Sequence, residues 1–320
     1  MKSSGMHWKT SIWLLLVVAC TQRQESEKET APQADIGKYH STRHLIEVEE
    51  LKAQLGKPGL KVIDFRKKEN IDSQHISGAI NLWRSDMESN KYPYGGMTAE
   101  KSNIETLLGR HGIQSDDNLV VYDGVGSCDA ARFWWVMKSL GHDKVKILNG
   151  GLNAWKKING PMDSSKPIFI PTNFRFNSSP QSTSITDEAL LSNITSTSNF
   201  LLLDTRSTDE YSGKRQKKGA TSGGRIPGAI QVEWVENVNF DETGKFKPYE
   251  QLGTIYDSLI LSQDQEIVTY CQTGVRSSLT YFVLTELLGY ENVKNYDGSW
   301  SEWSYKEFPK IQDSVTVVME

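Results

Sequence analysis

The chain has 320 residues, enough for two domains of ordinary size. A hydrophobic content of 37% with 10% aromatic residues is that of a globular protein and excludes a disordered one. With 40 acidic against 36 basic residues the net charge is −4, without the basic excess of a nucleic-acid binder, so no nucleic-acid partner is expected.

The N-terminus reads as a targeting segment. Lys2, His7 and Lys9 precede an apolar run from Ile12 to Ala19, and Cys20 follows. The run is far shorter than the roughly 20 residues that span a bilayer, and it has the length of a secretory signal. Leu16-Val17-Val18-Ala19-Cys20 looks like a bacterial lipobox, with a small residue just before the cysteine. It implies a signal peptide over 1–19, cleavage before Cys20 and lipidation of that thiol. The expected product is a lipoprotein of the bacterial cell envelope, held to the membrane by its acyl chains and facing the periplasm. Residues 20–38 are polar and read as a flexible tether.

The body repeats itself. Val62-Ile63-Asp64-Phe65-Arg66 corresponds to Leu202-Leu203-Asp204-Thr205-Arg206, and His75-Ile76-Ser77-Gly78-Ala79-Ile80 to Arg225-Ile226-Pro227-Gly228-Ala229-Ile230. Leu119 to Asp123 corresponds to Ile267 to Cys271, and Gly150-Gly151-Leu152 to Gly298-Ser299-Trp300. A period of about 140 to 150 residues is a duplicated domain, not a solenoid, whose repeats run roughly 20 to 50 residues. The expected first domain spans 39–162, a proline- and serine-bearing linker 163–181, and the second domain 182–320.

In chain order, strands are expected at 61–65, 119–123, 146–148, 200–204, 266–270 and 293–296, from short apolar runs rich in β-branched residues. Helices are expected at 104–111, 130–140, 187–192, 252–259 and 277–288, from apolar spacing near the helical period. Alternation of this kind predicts an α/β protein in which each domain is a parallel sheet flanked by helices on both faces. Chemistry in such sheets sits beyond the carboxyl ends of the strands.

That is where Tyr270-Cys271-Gln272-Thr273-Gly274-Val275-Arg276-Ser277 falls. A strand runs straight into Cys271, a short turn comes next, and a helix begins. Backbone N–H groups and the positive end of the helix dipole converge at such a turn and favour thiolate over thiol. A thiolate beside a guanidinium is also an anion site, so the substrate is expected to be an anion.

With these motifs in order, the chain from about residue 40 to about residue 310 resembles the rhodanese family of sulfurtransferases. The resemblance rests on Cys271 to Arg276 as the active-site loop, Leu203-Asp204-Thr205-Arg206, Gly224-Arg225-Ile226-Pro227-Gly228-Ala229, and Tyr296-Asp297-Gly298-Ser299-Trp300. It implies two tandem rhodanese-like domains. It also implies sulfur transfer from thiosulfate to cyanide or a thiol through a persulfide on Cys271, without a cofactor. Gln272, Thr273, Gly274 and Val275 would offer backbone N–H groups to the persulfide, and Arg276 would balance its charge and bind the donor. In family members a cation from the region of Gly213 to Lys218 enters the cleft, and Arg215 is the residue expected to do so here. The family commonly has His where Arg225 stands.

Asp204 with Arg206, and Asp64 with Arg66, read as structural ion pairs at strand ends. Asp123 stands where the second half has Cys271, so the first domain is expected to be catalytically silent and to close the cleft of the second. Cys128 is expected as a buried small residue, with no bridge to Cys271. The six histidines are scattered and no Cys-x2-Cys pair occurs, so no metal-ligand spacing is present.

A cysteine phosphatase would need Cys-x5-Arg, whereas Arg276 arrives at Cys-x4-Arg. A 3-mercaptopyruvate sulfurtransferase remains an alternative on the same scaffold, although its usual loop lacks the charge of Arg276. A non-catalytic, lipid-anchored sulfur carrier or interaction module is the other.

Overall fold

The computed structural model describes Met1 and residues 38–70, 74–165, 167–196, 199–314 and 318–319. Apart from Met1, the expected signal segment lies outside the described residues, as do Cys20 and the expected tether up to residue 37. The described residues from 38 onward belong to one unit, Ala34–Glu320.

The first half runs β1 (Leu45–Ile46), α1 (Val48–Gln54), β2 (Leu60–Asp64), β3 (His75–Ile76), β4 (Ile80–Asn81), α2 (Lys101–Arg110), β5 (Asn118–Tyr122), α3 (Cys128–Ser139), β6 (Val145–Leu148), α4 (Gly151–Lys157) and β7 (Met162–Asp163). The second runs α5 (Asp187–Thr195), β8 (Phe200–Asp204), α6 (Thr208–Ser212), β9 (Arg215–Gln216), β10 (Ile230–Gln231), α7 (Tyr249–Tyr256), β11 (Glu266–Tyr270), α8 (Val275–Phe282), β12 (Val293–Asn295), α9 (Ser299–Tyr305) and β13 (Val318–Met319).

Each half builds an all-parallel sheet, in the order β1-β6-β5-β2-β4 and then β10-β8-β11-β12. The duplication carries through to topology. A lone parallel bridge from Ser184 to Asn295 stands beside β12 where β1 stands beside β6. The strands expected at 200–204 and 266–270 are observed with those bounds.

Helices begin earlier than apolar spacing alone predicts. α3 starts at Cys128 and α8 at Val275, because polar first-turn residues carry no hydrophobic signal. A π-helical turn, Val283–Leu287, continues α8.

Side-chain alternation along the strands sorts the core into layers. In the first sheet Val62, Val120 and Tyr122 pack outward with Leu51 of α1 and Trp155 of α4. In the second, Leu202, Val268 and Tyr270 pack outward with Leu190 of α5 and Trp303 of α9. The alternate residues Ile63, Val121, Leu203 and Ile267 face inward, into one hydrophobic cluster shared by both halves. α3 and α8 meet there, with Trp134 edge-on to Phe282 at 4.8 Å between centroids.

The segment 163–181 is more than a spacer. Asp163 ends β7, which pairs antiparallel with β3, and Phe174 and Phe176 are buried in the shared core.

Candidate active site

β8 and β11 are neighbours in register, so Asp204 lies opposite Tyr270 at the strand ends. The Tyr270 hydroxyl donates to Asp204 Oδ2 at 2.6 Å. Arg206 Nε and Nη2 donate to the same carboxylate at 2.9 and 2.5 Å, and Nη2 also donates to the carbonyl of Gly224 at 2.8 Å. Both charges are fully buried and paired. The first half repeats the device with Asp64, Arg66 and Tyr122. These are the ion pairs expected from sequence, and they brace the strand ends from which the loops depart.

Cys271 comes directly after β11 and is 1% exposed. Its loop is held in shape by a residue of the next motif. Ser299 Oγ accepts from the N–H groups of Cys271 at 3.1 Å and Gly274 at 3.0 Å, and donates to the carbonyl of Tyr296 at 2.7 Å. Gly274 turns the chain into α8 with φ of 73°. A Cβ there would lie 2.7 Å from the carbonyl oxygen of Asp297 and 2.9 Å from Arg132 Nη1, so glycine is required twice over.

Burial alone would push the Cys271 thiol up. The guanidinium of Arg276 and the N–H groups of Ser277 and Thr273 outweigh it, and the thiol's pKa is lowered. Not every N–H group expected to cradle the sulfur is free to do so. The N–H groups that bear on the sulfur include those of Thr273 and Ser277, whereas that of Gly274 is taken by Ser299. Gln272 turns its amide away, to Ser301 Oγ at 3.2 Å.

Arg276 sits beside the sulfur, but both terminal nitrogens are engaged by Glu210, at 2.7 Å each. Glu210 also forms a capping box with Ser207 at the start of α6. Its carboxyl, which burial would raise, is held down at about 2 by Arg276, with Lys217 and Arg206 contributing. Arg276 thus acts on Cys271 by charge, while its fork, expected to bind the donor, is occupied by Glu210.

A cavity of about 310 Å³ opens above the loop, between the halves. Gln272, Thr273, Val275 and Arg276 form its floor, and Lys217 and Trp234 flank it from the second half. Arg84, Val125, Cys128 and Asp129 close it from the first. Four larger hollows lie elsewhere among the described residues, and neither cysteine lines any of them.

The basic loop does send a cation to this cavity, but it is Lys217; Arg215 is not in its wall. Arg215 belongs to β9, paired with β13, and its two-residue offset from Lys217 is invisible in a run of basic residues. Arg84, paired with Asp129 at 3.2 Å, has no signal in the sequence. Nor has Arg132, a buried residue of α3 that joins Asp297 at 2.7 Å and the carbonyls of Gly96 at 2.7 Å and Gly274 at 3.4 Å. Arg225 is structural: it pairs with Asp313 at 2.9 Å, as His75 pairs with Asp163 at 2.8 Å.

The equivalent loop of the first half has Asp123 in the place of Cys271. The Asp123 carboxylate accepts four backbone N–H bonds from its own loop. Val125 and Ser127 donate to Oδ1 at 3.0 Å each, and Asp129 and Ala130 to Oδ2 at 2.7 and 3.0 Å. The first loop is an anion cradle filled by its own side chain, whereas the second offers its cradle to the sulfur of Cys271.

Duplicated parallel α/β halves, with a buried thiol of lowered pKa in the second, define a tandem α/β protein with a candidate nucleophile at Cys271. Residues 47–158 and 186–306 each match the rhodanese-like domain family, and the chain belongs to that family. It is 39% identical over 242 residues to the "Putative thiosulfate sulfurtransferase 1" of Mycobacterium bovis, covering 72% of this chain and 83% of that protein. It is 33% identical over 286 residues to the "Putative thiosulfate sulfurtransferase SseA" of the same organism, covering 85% and 91%. Among solved structures, the 3-mercaptopyruvate sulfotransferase SseA of Escherichia coli superposes with a TM-score of 0.70 at 23% identity, over 80% of this chain and 98% of that one. An anaerobic ergothioneine biosynthesis enzyme from Chlorobium limicola superposes with a TM-score of 0.75 at 22% identity, over 86% and 71%. At these identities the structural likeness is one of fold.

Proposed function

We propose that the protein is a thiosulfate sulfurtransferase that carries sulfane sulfur on Cys271. The observation that carries this reading is the contrast between the two loops. One cradle is filled by a carboxylate that cannot carry sulfur, and the other surrounds the Cys271 thiol in a loop whose next residues floor a cationic cavity.

The Cys271 thiolate attacks the outer sulfur of thiosulfate. The S–S bond to the sulfonate breaks and sulfite leaves with the electron pair. The N–H groups of Thr273 and Ser277 and the charge of Arg276 hold the resulting persulfide anion. Lys217 and Arg84 supply positive charge where the sulfonate oxygens enter. Cyanide or a thiol then takes the outer sulfur and returns the thiolate, so the kinetics are ping-pong.

Turnover on thiosulfate and on 3-mercaptopyruvate, with cyanide as acceptor, tests the donor. Thiosulfate is expected to be preferred and Cys271→Ala to abolish the activity. A dominant mercaptopyruvate activity would replace the donor, and cyanolysis surviving in Cys271→Ala would end the reading.

The lipobox-like segment supports a location at the envelope, through acylation of Cys20. Metabolic labelling with a fatty acid is expected to mark the wild-type chain and not Cys20→Ala; label in neither would remove the anchor.

A further inference from the structure

The cavity above the Cys271 loop is lined by a thiol that the transfer reaction does not use. Cys128 opens α3 and lines the cavity opposite Gln272, Thr273 and Arg276. α3 and α8 lie against each other, and Arg132, one turn into α3, reaches the carbonyl of Gly274 at the start of α8. Cys128 therefore faces the Cys271 loop across the cavity that it lines together with Gln272, Thr273 and Arg276. Both thiols are free in this structure.

Their surroundings differ in sign. Cys271 lies among N–H groups and a guanidinium, whereas Cys128 lies beside the carboxylates of Asp123 and Asp129. That difference selects between two reactions open to a thiol next to a persulfide. Taking the outer sulfur would build a persulfide anion against Asp129. Attacking the inner sulfur leaves a neutral disulfide and expels sulfide toward Arg276 and Lys217, where positive charge assists its departure.

Resting on the sulfurtransferase reading above, we propose that Cys128 is a resolving thiol for the Cys271 persulfide. When no acceptor enters the cleft, Cys128 attacks the inner sulfur and a Cys128–Cys271 bond forms as the bond to the outer sulfur breaks. Hydrogen sulfide leaves with the Cys128 proton. The sulfane sulfur is reduced to sulfide and the two cysteine sulfurs are oxidised to a disulfide, so no outside oxidant is consumed. A dithiol reopens the site. Burial among carboxylates keeps Cys128 protonated, so closure is slow beside transfer to an acceptor and discharges only the idle, loaded protein.

The test uses the full chain, reduced, loaded with thiosulfate, freed of donor and held without acceptor. The wild-type chain is expected to release about one sulfide per chain and to end two hydrogens lighter than the reduced protein. Its digest would contain a Cys128–Cys271 cross-linked peptide. Cys128→Ser and Cys128→Ala are expected to keep the extra sulfur on Cys271 and release none. A wild-type chain that holds its extra sulfur without releasing sulfide overturns the proposal while leaving the transfer reading intact. So does sulfide release that is equal in the variants. If folded wild-type protein takes up no sulfur and frees no sulfite, the transfer reading itself fails.

Discussion

Arg276 illustrates how a residue can be right in place and different in role. Its spacing from Cys271 puts it next to the sulfur, and its charge lowers the thiol's pKa. Its hydrogen bonds, however, go to Glu210, a partner 66 residues away that no local pattern reveals. The Asp204–Arg206 pair was legible because its members lie two residues apart at a strand end. Lys217, Arg84 and Arg132 were not, because their positions depend on how the loops and halves pack.

The buried Glu210–Arg276 pair has a pH signature. The Glu210 pKa is depressed from 4.5 to about 2, so its contribution is complete above about 4.5 and is lost as pH falls toward about 2. Wild-type stability is expected to fall across that window by roughly 3 kcal/mol more than that of Glu210→Gln. Parallel acid dependence of the two proteins in urea denaturation would show that the pair is not the source.

At the scale of the element, the strand–loop–helix unit was readable because its signals are local: five β-type residues, a cysteine, a glycine and an arginine. The clamp on that unit was not. Ser299 belongs to the next motif, and its hydroxyl reaches back to two N–H groups of the loop. Gly274→Ala tests how tightly the loop is held. The new Cβ meets the Asp297 carbonyl at 2.7 Å, and the left-handed backbone adds strain of about 1–3 kcal/mol. Denaturation is expected to show a loss of that order, together with a drop in turnover as the N–H of Thr273 moves. Unchanged stability and turnover would mean that the loop adopts another path at no cost.

At the scale of the molecule, the duplication was visible in sequence and returns as matching sheet orders. That the first half closes on the second was expected, but the residues that unite them were not visible, because they face inward and their partners lie in the other repeat. The shared core is joined by Trp134 against Phe282, Lys138 with Glu286 at 2.6 Å and Tyr94 with Glu302 at 2.6 Å. One cooperative transition is therefore expected in calorimetry, with calorimetric and van't Hoff enthalpies in agreement. Two resolved transitions would show that the halves are thermodynamically separate.

The union also sets what the first half does. It supplies Arg132 to the loop and Arg84, Asp129 and Cys128 to the cavity wall, while its own cradle is closed by Asp123. On the proposed function the chain has one working site, and sulfur enters it at Cys271. The decisive measurement is the mass and peptide map of the chain trapped by alkylation immediately after exposure to thiosulfate. One added sulfur is expected, on Cys271, with one sulfite released per chain. Sulfur added first at Cys128, or none added while sulfite is released, would contradict a single site at Cys271.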